Sequence, residues 1–91
     1  MERDFKGVWI PAEIYLIREL SWAEKILFIE IYNNDNDGEG CDLLNRYFAN
    51  FLNVTQKQIS TYLKKLSDLG FIEVLIIRNE FGTFRKIYVT Y

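Results

Sequence analysis

Gln56, Lys57, Ser60, Thr61, Lys64 and Lys65 recur through the stretch TQKQISTYLKKLSDL (55–69) beside an apolar stripe of Ile59, Tyr62, Leu63, Leu66 and Leu69. Their chemistry is recognition and not bond breaking. A glutamine amide donates and accepts at once, a lysine ammonium only donates, and Ser/Thr hydroxyls do either. Acidic side chains are missing from the first three turns that this stretch would make as a helix. The ligand that suits such a face carries planar hydrogen-bonding edges and negative charge.

Catalytic chemistry has little to work with. Histidine is absent, which removes the usual general base near neutral pH and the commonest zinc ligand. No Gly-rich phosphate loop or nucleophile elbow occurs, so no enzyme activity and no cofactor are expected. Asn33, Asp35, Asp37 and Gly38 match the first positions of a calcium loop, but Leu44 stands where the bidentate glutamate belongs and Gly40 where an apolar residue belongs. That loop is expected to be acidic and metal-free. Cys41 is a lone cysteine in an acidic neighbourhood, which points to a small buried residue in a reducing, cytoplasmic setting. No apolar run reaches the length of a membrane span, and the start MERDFKGVWIP lacks a basic-then-apolar signal pattern.

Charge is divided along the chain. Residues 1–44 carry four basic and ten acidic side chains, a balance of −6; residues 45–91 carry seven basic and three acidic, a balance of +4. One face should repel polyanions and another attract them.

The elements that position the polar face follow from local signals. Pro11 suits the first position of a short helix, PAEIYLI. Ser21 and Glu24 have capping-box spacing and open SWAEKILFIEIYNN, whose apolar content marks the central core helix, with Trp22 a core anchor. After the loop NNDNDGEG, a shorter helix over Asn45–Leu52 turns Tyr47, Phe48, Phe51 and Leu52 inward. Asn53, a residue that accepts left-handed backbone, makes the turn. Thr55 and Gln58 form a second capping box, and Gly70 ends the helix that it opens. The tail FIEVLIIR–NEFG–TFRKIYVTY has the pattern of a β-hairpin. The expected fold is α+β, mainly α: one domain over 1–91, a winged helix-turn-helix with a three-helix core and a C-terminal hairpin wing.

In that setting the helix from Thr55 to Leu69, about 22 Å long, is suited to the major groove of double-stranded DNA. The candidate contacts are Thr55, Gln56, Lys57, Ser60, Thr61, Lys64 and Lys65 on the helix, with Arg78, Asn79, Arg85 and Lys86 of the wing meeting phosphate or a minor groove. YFANFLNVTQKQISTYLKKLSDLGFIE resembles the helix-turn-helix of bacterial winged-helix proteins. Nearly the whole chain, through WIPAEI, LSWAEK and GCDLLNRYFANFLNV, looks like the N-terminal domain of phage and plasmid replication initiators, including DnaD-like replisome organisers. The resemblance implies binding to origin or operator DNA through Gln56, Lys57, Ser60, Thr61 and Lys64, and a further domain after residue 91. Asn53 departs from the glycine common in such proteins. A transcriptional regulator of the same fold, or an interaction module that does not touch DNA, would share these features. The run VLII (74–77) leaves apolar side chains outward on whichever face the hairpin buries, so a homodimer or a replication-protein partner is expected through the hairpin and the N-terminal FKGVWI segment.

Overall fold

The computed structural model describes residues 11–35 and 38–91. Among these, helices α1 (Ala12–Tyr15), α2 (Trp22–Asn33), α3 (Asn45–Leu52) and α4 (Gln56–Asp68) precede strands β1 (Ile72–Asn79) and β2 (Gly82–Val89). The fold is mainly helical α+β, with an antiparallel two-stranded hairpin packed on the helices.

Both capping boxes form. Ser21 Oγ accepts from Glu24 N–H at 3.2 Å while Glu24 Oε1 accepts from Ser21 N–H at 2.6 Å. Thr55 Oγ1 accepts from Gln58 N–H at 3.1 Å, and Gln58 Oε1 accepts from Thr55 N–H at 2.9 Å. Each box satisfies donors that a helix start otherwise leaves unpaired, worth about 1 kcal/mol. Between α3 and α4 the chain reverses through Asn53 at φ 56°, ψ 49°, in left-handed backbone. Its short polar side chain is among the few that tolerate this geometry.

A two-stranded hairpin alone is marginal in water. Here the base of the hairpin is held from two sides. Ile72 and Ile87 are buried in one cluster with Leu27, Phe28 and Ile31 of α2, Phe48 of α3, and Ile59, Leu63 and Leu66 of α4. On the outer edge of β2, Cys41 and Ile87 exchange backbone hydrogen bonds of 2.8 and 2.9 Å, so the loop before α3 adds a short third bridge. Asp35 braces the same loop, its carboxylate accepting from Gly40 N–H at 2.7 Å and Val89 N–H at 3.3 Å. Gly40 sits at φ +95°, and a Cβ there would meet Lys86 and Tyr88 side-chain atoms at 3.1 Å. A glycine is required at that approach.

Three expectations need correction or refinement. Trp22 is not a core anchor: it lies at the first turn of α2, 52 % exposed, edge-on to Tyr15 with Lys25 Nζ 4.7 Å over its ring. Its position directly after the cap turns it to the rim while Leu27, Phe28 and Ile31 take the interior. Pro11 is the residue before α1 and not its first helical residue, and α1 is a single turn. Leu69 caps the end of α4 and is largely exposed, so the buried stripe is Ile59, Leu63 and Leu66, with Tyr62 at its margin. Cys41 is fully buried, and that burial pushes its thiol pKa up. Asp37 and the FKGVWI segment lie outside the described residues.

The turn at Asn53 yields a test. Asn53→Ala should destabilise by about 1 kcal/mol, because a Cβ without a compensating local hydrogen bond is strained in left-handed backbone. Asn53→Gly should leave stability nearly unchanged. Thermal unfolding of both variants measures the pair; equal melting temperatures for Ala and wild type would show that the turn carries no such strain.

Candidate nucleic-acid interface

The face of α4 is built by the residues that α4 does not bury. With Ile59, Leu63 and Leu66 inward, helical spacing puts Lys57, Thr61, Lys64 and Asp68 opposite the core. Gln56 and Ser60 fall on the flank toward α3 and β2. Lys65 falls on the other flank, toward α2, where its Nζ pairs with Glu24 Oε1 at 3.0 Å. The helix carries no acidic residue from Gln56 through Ser67, and Asp68 closes its last turn by pairing with Lys64 at 2.9 Å. That pair is exposed and weak, so Lys64 can leave it at little cost. Thr61 Oγ1 donates to Lys57 C=O at 3.2 Å and retains its lone pairs. Thr55 is already engaged in the cap.

Arg85 links this face to the hairpin. β2 turns Arg85 to the same side as Ile87, so its guanidinium lies over the start of α3. Nη2 donates to Leu43 C=O at 2.7 Å and Nη1 to Asn45 Oδ1 at 2.6 Å. Asn45 Nδ2 in turn donates to Ser60 Oγ at 2.9 Å. A continuous relay therefore runs from the hairpin through α3 to the middle of α4. Burial draws the Arg85 pKa below the usual arginine value, opposed in part by Cys41, and the group stays cationic at neutral pH. Its Nε is buried without a partner, and no carboxylate of the described residues pairs with it.

The hairpin does not gather its predicted cations on one side. Ile76 stands opposite Arg85, Leu75 opposite Lys86 and Thr83 opposite Arg78, so Arg78 and Arg85 share a face while Lys86 points to the other. Arg78 is exposed near the tip, and Lys86 is half-buried beside Gly40. Asn79 Oδ1 accepts from Phe81 N–H at 2.8 Å and closes the turn, which leaves its amide N–H₂ free; Phe81 projects at the tip, 81 % exposed. Thus Gln56, Lys57, Ser60, Thr61 and Lys64 lie together, Arg78 and Asn79 stand apart at the tip, Thr55, Lys65 and Arg85 are held by partners within the fold, and Lys86 lies half-buried on the other face of the hairpin.

Sequence reasoning passed over two residues. Asn45 is the relay's centre, and Arg46 is exposed in the first turn of α3 with a side chain that takes no partner among the described residues. The available signal was that Leu44 precedes α3 where a capping side chain would stand, which leaves that helix start polar and open.

Burial alone would raise the Glu24 pKa, but the Ser21 N–H and Lys65 outweigh it and hold the carboxyl below its usual value. A depressed folded pKa contributes stability that is present above the unfolded value, about 4.3, and lost as pH falls through the folded value. Lys65→Met should therefore cost about 1 kcal/mol near neutral pH, a modest figure because Lys65 is partly solvated, and shift the acid-unfolding midpoint to higher pH. Circular dichroism across pH 2–7 checks it; coincident acid limbs would show that the pair does not couple to folding. No helix among the described residues is long and apolar enough to cross a membrane. Comparison with protein-family profiles, curated proteins and solved structures finds no match for this chain.

Proposed function

We propose that the chain binds double-stranded DNA sequence-specifically as a winged helix-turn-helix, with α4 in the major groove and the hairpin tip on the neighbouring backbone or minor groove. The observation that carries this is the α4 face: amide, hydroxyl and ammonium groups, free of acid until Asp68, tied through Asn45 to α3 and the hairpin. A face held in fixed relation to a second contact point meets DNA with little loss of conformational freedom. Gln56 and Ser60 are the groups placed to read base edges, and Lys57, Lys64 and Arg78 to meet phosphates. The resemblance of the sequence to replication initiators favours origin DNA of a phage or plasmid over an operator.

Lys57→Glu should weaken duplex binding at least tenfold while leaving the melting temperature within a degree or two, since the side chain is exposed and unpartnered. Gln56→Ala should cost about 1–3 kcal/mol on the preferred site and far less on random duplex. Fluorescence anisotropy with both duplexes measures these effects. Parental affinity for both variants would remove α4 as the reading element.

A second reading, self-association, is favoured by one specific feature. Leu75 and Ile77 of β1 and Phe84 of β2 are exposed on one face of the hairpin, turned away from the buried Ile72 and Ile87. A pairing of two copies through this apolar patch would leave α4 open and present two DNA-reading faces. Sedimentation equilibrium at tens of micromolar should then show a dimer that Leu75→Lys and Ile77→Lys each disrupt. A strictly monomeric mass would exclude this reading without touching the first.

A further inference from the structure

The first turns of α3 and α4 and the side of β2 enclose an open notch of about 450 Å³, lined by Leu44, Asn45, Arg46, Gln56 and Arg85. Three features of its walls suit an anion. Arg85 brings a guanidinium that is fixed by Leu43 C=O and Asn45 Oδ1 and faces no carboxylate of the described residues within ion-pair distance. Arg46 brings a second guanidinium, exposed and unpartnered, on a helix whose preceding residue, Leu44, has no side chain to cap it. Gln56 adds an amide from the first turn of α4. Asp42, the nearest acid along the chain, is exposed and lines an adjoining hollow that shares Leu44 and Arg85 with the notch, but it forms no ion pair with Arg85. Half-burying one cation beside another is costly unless an opposite charge arrives.

We propose that this notch is a phosphate site, occupied by one backbone phosphodiester of the duplex, with Arg46 as its mobile ligand and Arg85 as its fixed positive wall. The assignment rests on the DNA reading of α4 and deepens it. Because Ser60 is bonded to Asn45 in the notch wall, a phosphate seated there fixes where α4 enters the groove. The site positions and does not read: its ligand is common to every base pair. Arg46 suits the role because a guanidinium presents a planar fork to phosphate oxygens.

Two measurements separate this site from the DNA reading. The first is duplex binding by Arg46→Ala and Arg46→Lys, by anisotropy across a salt series. Arg46→Ala should weaken preferred and random duplex by equal factors, roughly tenfold, and flatten the slope of log K against log salt by about 1. Arg46→Lys should keep the slope. The second is a titration of the isotope-labelled chain with inorganic phosphate, followed at the backbone amides of Asn45, Arg46 and Gln56. Saturable shifts there, lost in Arg46→Ala, support the site together with the flattened slope. Duplex binding with an unchanged slope in Arg46→Ala overturns the site and leaves the DNA reading standing. Phosphate shifts without any duplex binding keep the site as one for free phosphate and overturn the DNA reading. Neither response overturns both.

Discussion

The guanidinium of Arg85 is the constraint on which the geometry of the site depends. A hairpin that leaves the body of the domain can swing about its base, and burial of Ile72 and Ile87 secures only that base. Arg85 adds a rigid two-pronged contact further out, on Leu43 C=O and Asn45 Oδ1, and Asn45 passes the constraint to Ser60. Hydrogen bonds made by a charged donor are roughly twice as strong as neutral ones, and those of Arg85 are partly shielded from water. The result is that the exposed face of α4, the start of α3 and the hairpin keep one arrangement.

The division of charge along the chain takes on structural meaning around this frame. Two cations are engaged by the acidic half: Lys65 pairs with Glu24, and Lys25 is buried with Nζ on Tyr15 C=O and over the Trp22 ring. Glu24, Lys25 and Glu30 are all buried on α2 and bond to Lys65 of α4, Tyr15 of α1 and Tyr47 of α3, so the polar side chains of the core helix tie three helices to it. Arg46, Lys57, Lys64 and Arg78 of the basic half stay exposed, and among the described cations of the acidic half Arg18 does so too. The charge that the basic half presents to solvent therefore depends on which lysines the fold uses internally as much as on how many the sequence contains.

Local signals were legible in the sequence, and tertiary ones were not. The caps at Ser21 and Thr55 and the left-handed turn at Asn53 depend on residues within one helical turn, so spacing alone locates the starts of α2 and α4 and the end of α3. The inward stripe of α4 followed from periodicity. Trp22, Lys65 and Arg85 were read by residue type, and type does not decide which neighbour meets a side chain. Lys65 differs from Lys64 only by one step around the helix, yet that step carries it from Asp68 to Glu24. Arg85 and Lys86 are separated by the same single step on a strand, which sends them to opposite faces. Arg46 carries no local signal because its setting is a notch assembled from the starts of α3 and α4 and from β2, elements distant in sequence.

The measurement that bears most directly on the proposed DNA face is the salt dependence of binding to random duplex between 50 and 200 mM. Arg46, Lys57, Lys64 and Arg78 are the exposed cations proposed to meet the duplex, with Arg85 in the notch wall, and each phosphate neutralised contributes a slope of about −0.9. Engagement of four to five phosphates gives a log–log slope of roughly −3.5 to −4.5. An absence of binding at 50 mM, or a slope near zero, would contradict the assignment of this face to DNA.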